Sequence, residues 1–270
     1  MNDANPKLSK EGLANLAIDP DLLARELAAQ LAGDPLDELE LEKTDEDLVN
    51  SSKKECDLAL QWLQSGNEER LKGLRVFCEH RDPRALPFLV PLLDEPSPVL
   101  RMSAVYALGR NPCPQAIELL LHLLRFDSNA YVRKATAWSL GNYLDAPVLE
   151  PLINALKQDV AAVRLWASSS LAEVGLSSAE SSLPAANQLL ESLRVDGEPI
   201  VRSNCIWSLG RLYSLLSEEI KIQIEETFIS VLLNDREPSV RYEARIALEQ
   251  LDNPEVEKKL KSLIEDGQLV

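Results

Sequence analysis

The sequence has little of what builds sheets or membrane spans. Only 5% of its residues are aromatic and it contains no long β-branched runs, so a sheet is disfavoured. No apolar run reaches the length of about 18 residues that crosses a bilayer. The first residues lack the cationic and apolar zones of a signal peptide. Because leucine, alanine and glutamate dominate, we expect a helical, cytoplasmic protein without membrane insertion.

Positive charge is also scarce. The chain of 270 residues has 28 Lys and Arg against 44 Asp and Glu, which gives a formal net charge of −16. A nucleic-acid-binding protein needs a basic surface that displaces counterions from phosphates. We therefore expect no nucleic-acid partner.

Cysteine and histidine are too few for a disulfide framework or a dedicated metal site. The four cysteines and two histidines form no CxxC, HxxxH or HExxH pattern, and scattered cysteines fit a reducing compartment. Cys113 is a weak metal-ligand candidate, because it lies between Pro112 and Pro114 in a predicted turn where its thiol would be accessible. GxSxG and P-loop motifs are absent, so we predict no autonomous active site and no cofactor.

A repeated phrase runs through most of the chain. An acidic residue precedes a Val-Arg or Leu-Arg pair, and an Ala-rich helix that ends in Leu follows. The arginines are Arg101, Arg133, Arg164, Arg202 and Arg241, in steps of 31 to 39 residues. A period of this size is typical of stacked helix pairs that cannot bury their apolar faces alone. With a degenerate earlier pair over residues 51–64 and 68–79, the pattern predicts an all-α solenoid of about six helix pairs.

This phrase resembles the HEAT-repeat family, and more specifically the branch that includes the phycobilin-lyase-like repeat proteins of cyanobacteria. The resemblance covers about residues 51–255. It implies a ladder in which acidic and basic residues line up between neighbouring repeats. The ladder residues here would be Asp127, Arg133, Asp196, Arg202, Asp235 and Arg241. Because residues that recur in every repeat serve the stacking, we interpret them as structural rather than catalytic.

The first 50 residues differ from the rest. They contain 13 acidic and 4 basic residues. Two short amphipathic helices are predicted over residues 8–18 and 21–32, followed by an acidic linker with too little apolar content to fold alone. We divide the chain into an acidic N-terminal extension, residues 1–50, and a HEAT-repeat solenoid, residues 51–270. The extension is either a solvated arm or an interaction arm that docks on a basic partner or covers the solenoid's own inner face.

A helical wheel drawn from each arginine separates a core face from a candidate binding face. Positions −1, +3, +6, +7 and +10 are apolar or small, which indicates the core. Positions +2, +5 and +9 lie roughly 140° away. They supply a predicted concave stripe of Tyr106, Arg110, Trp138, Asn142, Trp166, Trp207 and Arg211. Trp, Tyr and Arg are the residues of binding hot spots. In the alternative interpretation, Trp138 and Trp207 fill the space between adjacent repeats.

Three functional hypotheses remain. The first is a non-catalytic adaptor whose concave groove binds another protein. The resemblance implies two others: a subunit of a phycobilin lyase that acts on phycobiliproteins, and a helper in the assembly or maturation of an iron–sulfur carrier or a photosynthetic antenna protein. We favour the adaptor, because the sequence contains no pigment-handling motif.

Overall fold

The computed structural model describes residues 45–269, with side chains from Ser52 onward. This part consists of helices and turns without a strand, which confirms the predicted all-α class. Residues 1–44 of the predicted N-terminal extension lie outside the described residues. The first described helix begins at Asp45, which is six residues before the predicted start of the solenoid at residue 51. Residue contacts divide the chain into two units, residues 1–53 and residues 54–270. No helix of the described part is long and apolar enough to span a membrane.

The described residues form six helix pairs followed by one further helix. In chain order, the α-helices are α1 (Asp45–Trp62), α2 (Asn67–Glu79), α3 (Leu86–Leu89), α4 (Pro98–Arg110), α5 (Ile117–Phe126), α6 (Ala130–Leu140), α7 (Leu149–Gln158), α8 (Ala161–Ser177), α9 (Ala179–Val195), α10 (Pro199–Leu212), α11 (Glu218–Asn234), α12 (Pro238–Gln250) and α13 (Pro254–Glu265). Odd-numbered helices up to α11 are the first helices of the pairs, and even-numbered helices are the second helices.

Consecutive second helices pack against one another from α2 to α12, whereas consecutive first helices touch much less. Grooves open between the first helices α5 and α7, α7 and α9, and α9 and α11. The second helices therefore form the inner, closely packed layer of a solenoid, and the first helices form its outer layer.

The predicted core face of the second helices is buried. Position +3 from each arginine is 0% exposed in all five repeats, at Ala104, Thr136, Ala167, Cys205 and Ala244. The leucine at +7 and the residue directly before each arginine are buried as well. Small residues at +3 allow neighbouring helices to approach closely, so the chain keeps these positions small. Burial also raises the pKa of the Cys205 thiol well above its ordinary value.

The first helix of the second pair is shorter than predicted. The sequence predicts one helix over residues 85–93, but α3 is flanked by 3₁₀ turns at Pro83–Ala85 and Val90–Asp94. Pro91 has no N–H to donate to the carbonyl of Pro87, so a regular α-helix cannot continue through this segment.

The start of α9 also differs from the prediction. The sequence predicts a first helix over residues 184–193, because proline is tolerated in a first turn, but the helix begins at Ala179 and Pro184 lies inside it. The hydroxyl of Ser178 accepts a hydrogen bond from the backbone N–H of Glu180 at 3.2 Å, so Ser178 is the N-cap. This cap offsets part of the cost of the backbone hydrogen bond that Pro184 cannot make.

The repeated phrase of the sequence does not predict α13. Asn253 caps this helix, since its side-chain oxygen accepts the N–H of Glu255 at 3.0 Å, and Pro254 occupies the first turn. Asn253 and Pro254 are therefore a start signal that the sequence does contain.

Candidate protein-binding face

A ladder of ion pairs holds successive helix pairs in register. In each rung, Nε and Nη2 of a second-helix arginine donate to the two carboxylate oxygens of the aspartate that follows the first helix of the next pair. The N–O distances are 2.7–3.0 Å, and the rungs are Arg101–Asp127, Arg133–Asp159, Arg164–Asp196 and Arg202–Asp235. The geometry confirms the ladder and gives its arginines and aspartates a structural role.

Each rung is also tied to the backbone of its own pair. Nη1 of Arg133 donates to the carbonyl of Asp127 at 2.8 Å, and a carboxylate oxygen of Asp127 accepts the N–H of Asn129 at 2.8 Å. Burial alone would raise the pKa of Asp127, but the hydrogen bonds from Arg101 and Asn129 outweigh it and lower that pKa. The ladder therefore requires an ionised carboxylate.

Arg241 forms no rung, although it was predicted to belong to the ladder. Its Nη1 donates to the carbonyl of Asp235 at 2.7 Å, and no carboxylate in residues 45–269 pairs with it. At position +4 the preceding second helices have the buried uncharged residues Val105, Ala137, Ser168 and Ile206, whereas α12 has Arg245, which pairs with Glu249 at 3.0 Å. This polar face is typical of a terminal repeat that ends a solenoid.

Tyr106 and Trp138 meet across the boundary between α4 and α6. Their ring centres are 5.4 Å apart, at an interplanar angle of 54°. Trp138 also covers Gly109, where a Cβ atom would lie 2.5 Å from Cζ3 of the tryptophan ring. Trp138 is therefore partly buried and fills space between adjacent repeats, which is the packing arrangement that the sequence analysis had considered as an alternative.

Trp207 is placed differently. Its side chain is 50% exposed, and the guanidinium of Arg211 lies 4.8 Å from the ring centre. Arg211 is held by Glu173 of the preceding second helix, whose Oε2 lies 3.2 Å from Nη2 and whose Oε1 contacts Nη1. A Cβ atom at Gly210 would meet nothing within 4 Å, so the face is open here. An exposed aromatic ring with a fixed cation can bind an apolar or planar side chain of a partner.

The other stripe residues are separate from these two clusters. Arg110 is exposed, with Nε 3.4 Å from the carbonyl of Glu79, and no carboxylate of the described part pairs with it. Asn142 is exposed and its amide points back to the carbonyl of Ser139 at 3.5 Å. Trp166 is partly buried against the core and makes no ring contact within the described residues. The predicted stripe is therefore two aromatic clusters rather than one continuous row.

Polar residues that the wheel did not single out separate the clusters. The amide of Asn204 donates to the carbonyl of Leu165 at 3.1 Å and to the hydroxyls of Ser168 and Ser169 at 2.7 Å. Glu173 was also missed as a partner of Arg211. The signal was present, because both residues occupy position +9 of successive repeats and their charges are opposite.

Cys113 does not have the accessible thiol that the sequence suggested. It is 4% exposed. Its backbone is extended, with φ −145° and ψ 145°, so its side chain points opposite to those of the exposed Pro112 and Pro114 and into the core. The structure therefore corrects this candidate, and residues 45–269 contain no group of three His, Cys, Asp or Glu residues placed to hold a metal ion.

A family model described as HEAT repeats matches the chain twice, over residues 57–141 and 117–210. Together these matches extend from α1 to α10 and contain the rungs up to Arg164–Asp196. Comparison with curated protein sequences gave no match.

Solved structures with a similar fold are armadillo and HEAT solenoids. A designed armadillo repeat protein in complex with the peptide (KR)4 has 22% identity and a TM-score of 0.55, and the match covers 73% of this chain and 99% of that one. Another designed armadillo repeat protein has 20% identity and a TM-score of 0.53, with coverage of 73% and 100%. A structure of the Kap95:Nup1 complex has 16% identity and a TM-score of 0.58, and covers 91% of this chain but 35% of that one.

Proposed function

We propose that this chain, which belongs to the HEAT-repeat family, is a non-catalytic scaffold that binds another protein on the inner face of its second helices. The observation that carries the proposal is the half-exposed ring of Trp207, with Arg211 fixed over it by Glu173. Aromatic and arginine side chains whose positions are already fixed lose little entropy when a partner binds.

The solved structures with this fold support a protein or peptide as the partner. Two of them are such complexes, one with the peptide (KR)4 and one with Nup1. Armadillo and HEAT solenoids are typically protein-binding scaffolds, because their repeats present an extended surface.

Site-specific photo-cross-linking tests where the partner binds. A benzoylphenylalanine in place of Trp207 should cross-link to a partner captured from a native cell extract. The matched control replaces Ile222, which is half exposed on the first helix α11, and should give no cross-link. Cross-linking from position 222 alone would place the partner on the outer layer and contradict the proposal.

We also propose, more specifically, which class of protein the partner belongs to. The resemblance to phycobilin-lyase-like proteins favours a cofactor-bearing partner, either a phycobiliprotein or an iron–sulfur carrier, in the cytoplasm. The four unpaired cysteines are compatible with that compartment. An absorbance scan of the captured partner distinguishes these cases: a bilin absorbs between about 550 and 680 nm, an iron–sulfur cluster gives a shoulder near roughly 420 nm, and a plain protein partner is colourless. A bilin that becomes covalently attached only in the presence of this chain would instead support a lyase subunit.

A further inference from the structure

Exposed apolar side chains recur on the edge of the solenoid where each first helix turns into its second helix. Two of them directly precede a rung aspartate, one directly follows a rung aspartate, and three lie two residues before a ladder arginine. They are between 47% and 75% exposed, and comprise Val99, Phe126, Tyr131, Val160, Val195 and Ile200. Large exposed apolar groups that repeat along one edge indicate an interaction surface rather than scattered surface residues.

The turns of successive pairs lie side by side, because the rungs join each one to the next. A groove of about 990 Å³ between α5 and α7 is lined by both Phe126 and Val160. The next groove, of about 420 Å³ between α7 and α9, is lined by Lys157 and Val195. Three of the six exposed apolar side chains, Phe126, Val160 and Val195, therefore line grooves that open along this edge.

The charge on two of these turns, those of the third and fourth pairs, is opposite to that of the whole chain. The turns of the third and fourth pairs cover residues 125–134 and 157–162, and their only carboxylates are Asp127 and Asp159. Both are held in rungs by Arg101 and Arg133. The excess charge of these turns is therefore positive, although the formal net charge of the chain is −16.

Arg125 and Lys134 carry this positive charge: Arg125 lies over the Phe126 ring, 5.0 Å from its centre, and Lys134 lies in the first turns of α6. Lys157 adds a third cation, which is paired with Glu191 at 3.8 Å between two exposed side chains, where an ion pair is weak. The groove between α5 and α7 also contains Glu118 and Glu150, but these lie in the first turns of their helices, at the ends away from the edge. The basic excess is thus concentrated beside the exposed apolar groups.

We propose that this loop-edge surface, formed by Arg125, Phe126, Tyr131, Lys134, Lys157 and Val160, binds an acidic segment of a partner protein that also carries apolar side chains. The apolar side chains of the segment cover Phe126 and Val160, and its carboxylates pair with Arg125 and Lys157. This surface lies on the turns, so it is separate from the Trp207 cluster and does not depend on the proposed function of the inner face.

Fluorescence anisotropy with the full chain tests the proposal. The probe is a fluorescein-labelled peptide of three Glu-Asp-Phe-Glu-Asp-Leu units, and the control probe has lysine in place of every acidic residue. We expect saturable binding of the acidic probe that weakens as salt is added, and no binding of the basic probe. Phe126→Ser combined with Val160→Ser should weaken binding by about tenfold or more. Leu215→Ser, at a half-exposed leucine in the turn between α10 and α11, should leave it unchanged.

Two further variants make every outcome decisive. If the double serine variant loses helicity, the variant Arg125→Glu combined with Lys157→Glu is tested in its place. Both of these side chains are exposed, so the fold should be retained, and binding of the acidic probe should be abolished. Absence of saturable binding to the acidic probe overturns the proposal. The proposal is also overturned if Trp207→Ala abolishes binding of the acidic probe and the loop-edge variants still bind it, because the probe would then occupy the inner face.

Discussion

The guanidinium of Arg211 lies over the ring of Trp207, and Glu173 of the preceding repeat holds it there. The three residues come from two consecutive second helices, so the stacking of repeats itself builds the cluster. A cation–π contact at an exposed site contributes about 0.5–1 kcal/mol. The cluster therefore fixes the geometry of the inner face more than it stabilises the fold.

A matched pair of glycines tests the close approach of second helices. Gly109→Ala should destabilise the protein, because the added Cβ would lie 2.5 Å from the Trp138 ring and 3.2 Å from Cα of Ser139. Gly210→Ala should be neutral or stabilise it by up to about 1 kcal/mol, because its Cβ would meet nothing within 4 Å and alanine has the better helix propensity. Urea unfolding measures both, and an equal effect of the two substitutions would contradict the packing described.

The ladder can be tested with Arg133 and Arg241, which both donate to a backbone carbonyl, although only Arg133 pairs with an aspartate in the described part of the chain. Arg133→Ala should cost about 3 kcal/mol of unfolding free energy, because it leaves the carboxylate of Asp159 without its arginine. Arg241→Ala should cost only about 1 kcal/mol, because both arginines donate to a backbone carbonyl but Arg241 has no rung. If Arg241→Ala were as destabilising as Arg133→Ala, the rungs would contribute nothing measurable.

Acid should weaken the solenoid through its rung aspartates. Arg202 and the N–H of Glu237 hold the pKa of Asp235 below its ordinary value despite burial, as Arg101 and the N–H of Asn129 do for Asp127. A carboxylate with a lowered folded-state pKa stabilises the protein above its unfolded pKa of about 3.9, and this stabilisation is lost as the pH falls through the folded pKa. The free energy of unfolding should therefore begin to drop as the pH approaches about 3.9 and should continue to drop as the pH falls below it. Asp127→Asn should make that drop smaller, and an unchanged drop would argue against this source.

The two tryptophans should differ in their effect on stability. Trp138→Ala should cost about 3 kcal/mol, because the ring packs against Tyr106 and covers Gly109 between two repeats. Trp207→Ala should cost less than about 1 kcal/mol, because half of its ring is exposed and it loses mainly the contact with Arg211. Thermal and urea unfolding of both variants check this, and equal losses would mean that both rings are core residues.

Most of the fold could be predicted from the sequence, because each repeat shows the same pattern of buried and charged positions. Alanine, threonine or cysteine at position +3 identified the buried face without structural information, and the recurring Asp and Arg predicted the ladder. Local exceptions were harder to predict. Pro91 divides the first helix of the second pair through one missing N–H, and the cap at Asn253 starts α13 outside the repeated phrase.

The candidate site was predicted less completely. A helical wheel places Trp138 and Trp207 at the same position of their repeats. The ring of Trp138 nevertheless packs on Gly109, whereas the ring of Trp207 is half exposed and a Cβ at the nearby Gly210 would meet nothing within 4 Å. The wheel describes a single helix, whereas exposure depends on the neighbouring helix. The burial of Cys113 has the same origin, since the direction of its side chain depends on an extended turn that the sequence leaves undefined.

The most direct test of the inner face as the protein-binding site is the dissociation constant of Trp207→Ala for the partner captured with the native chain, measured by isothermal titration calorimetry. If the ring of Trp207 anchors the partner, the variant should lose about 2 kcal/mol or more of binding free energy, which is roughly thirtyfold, with the melting temperature nearly unchanged. A dissociation constant that stays at the native value in a folded Trp207→Ala variant would contradict this role of the inner face.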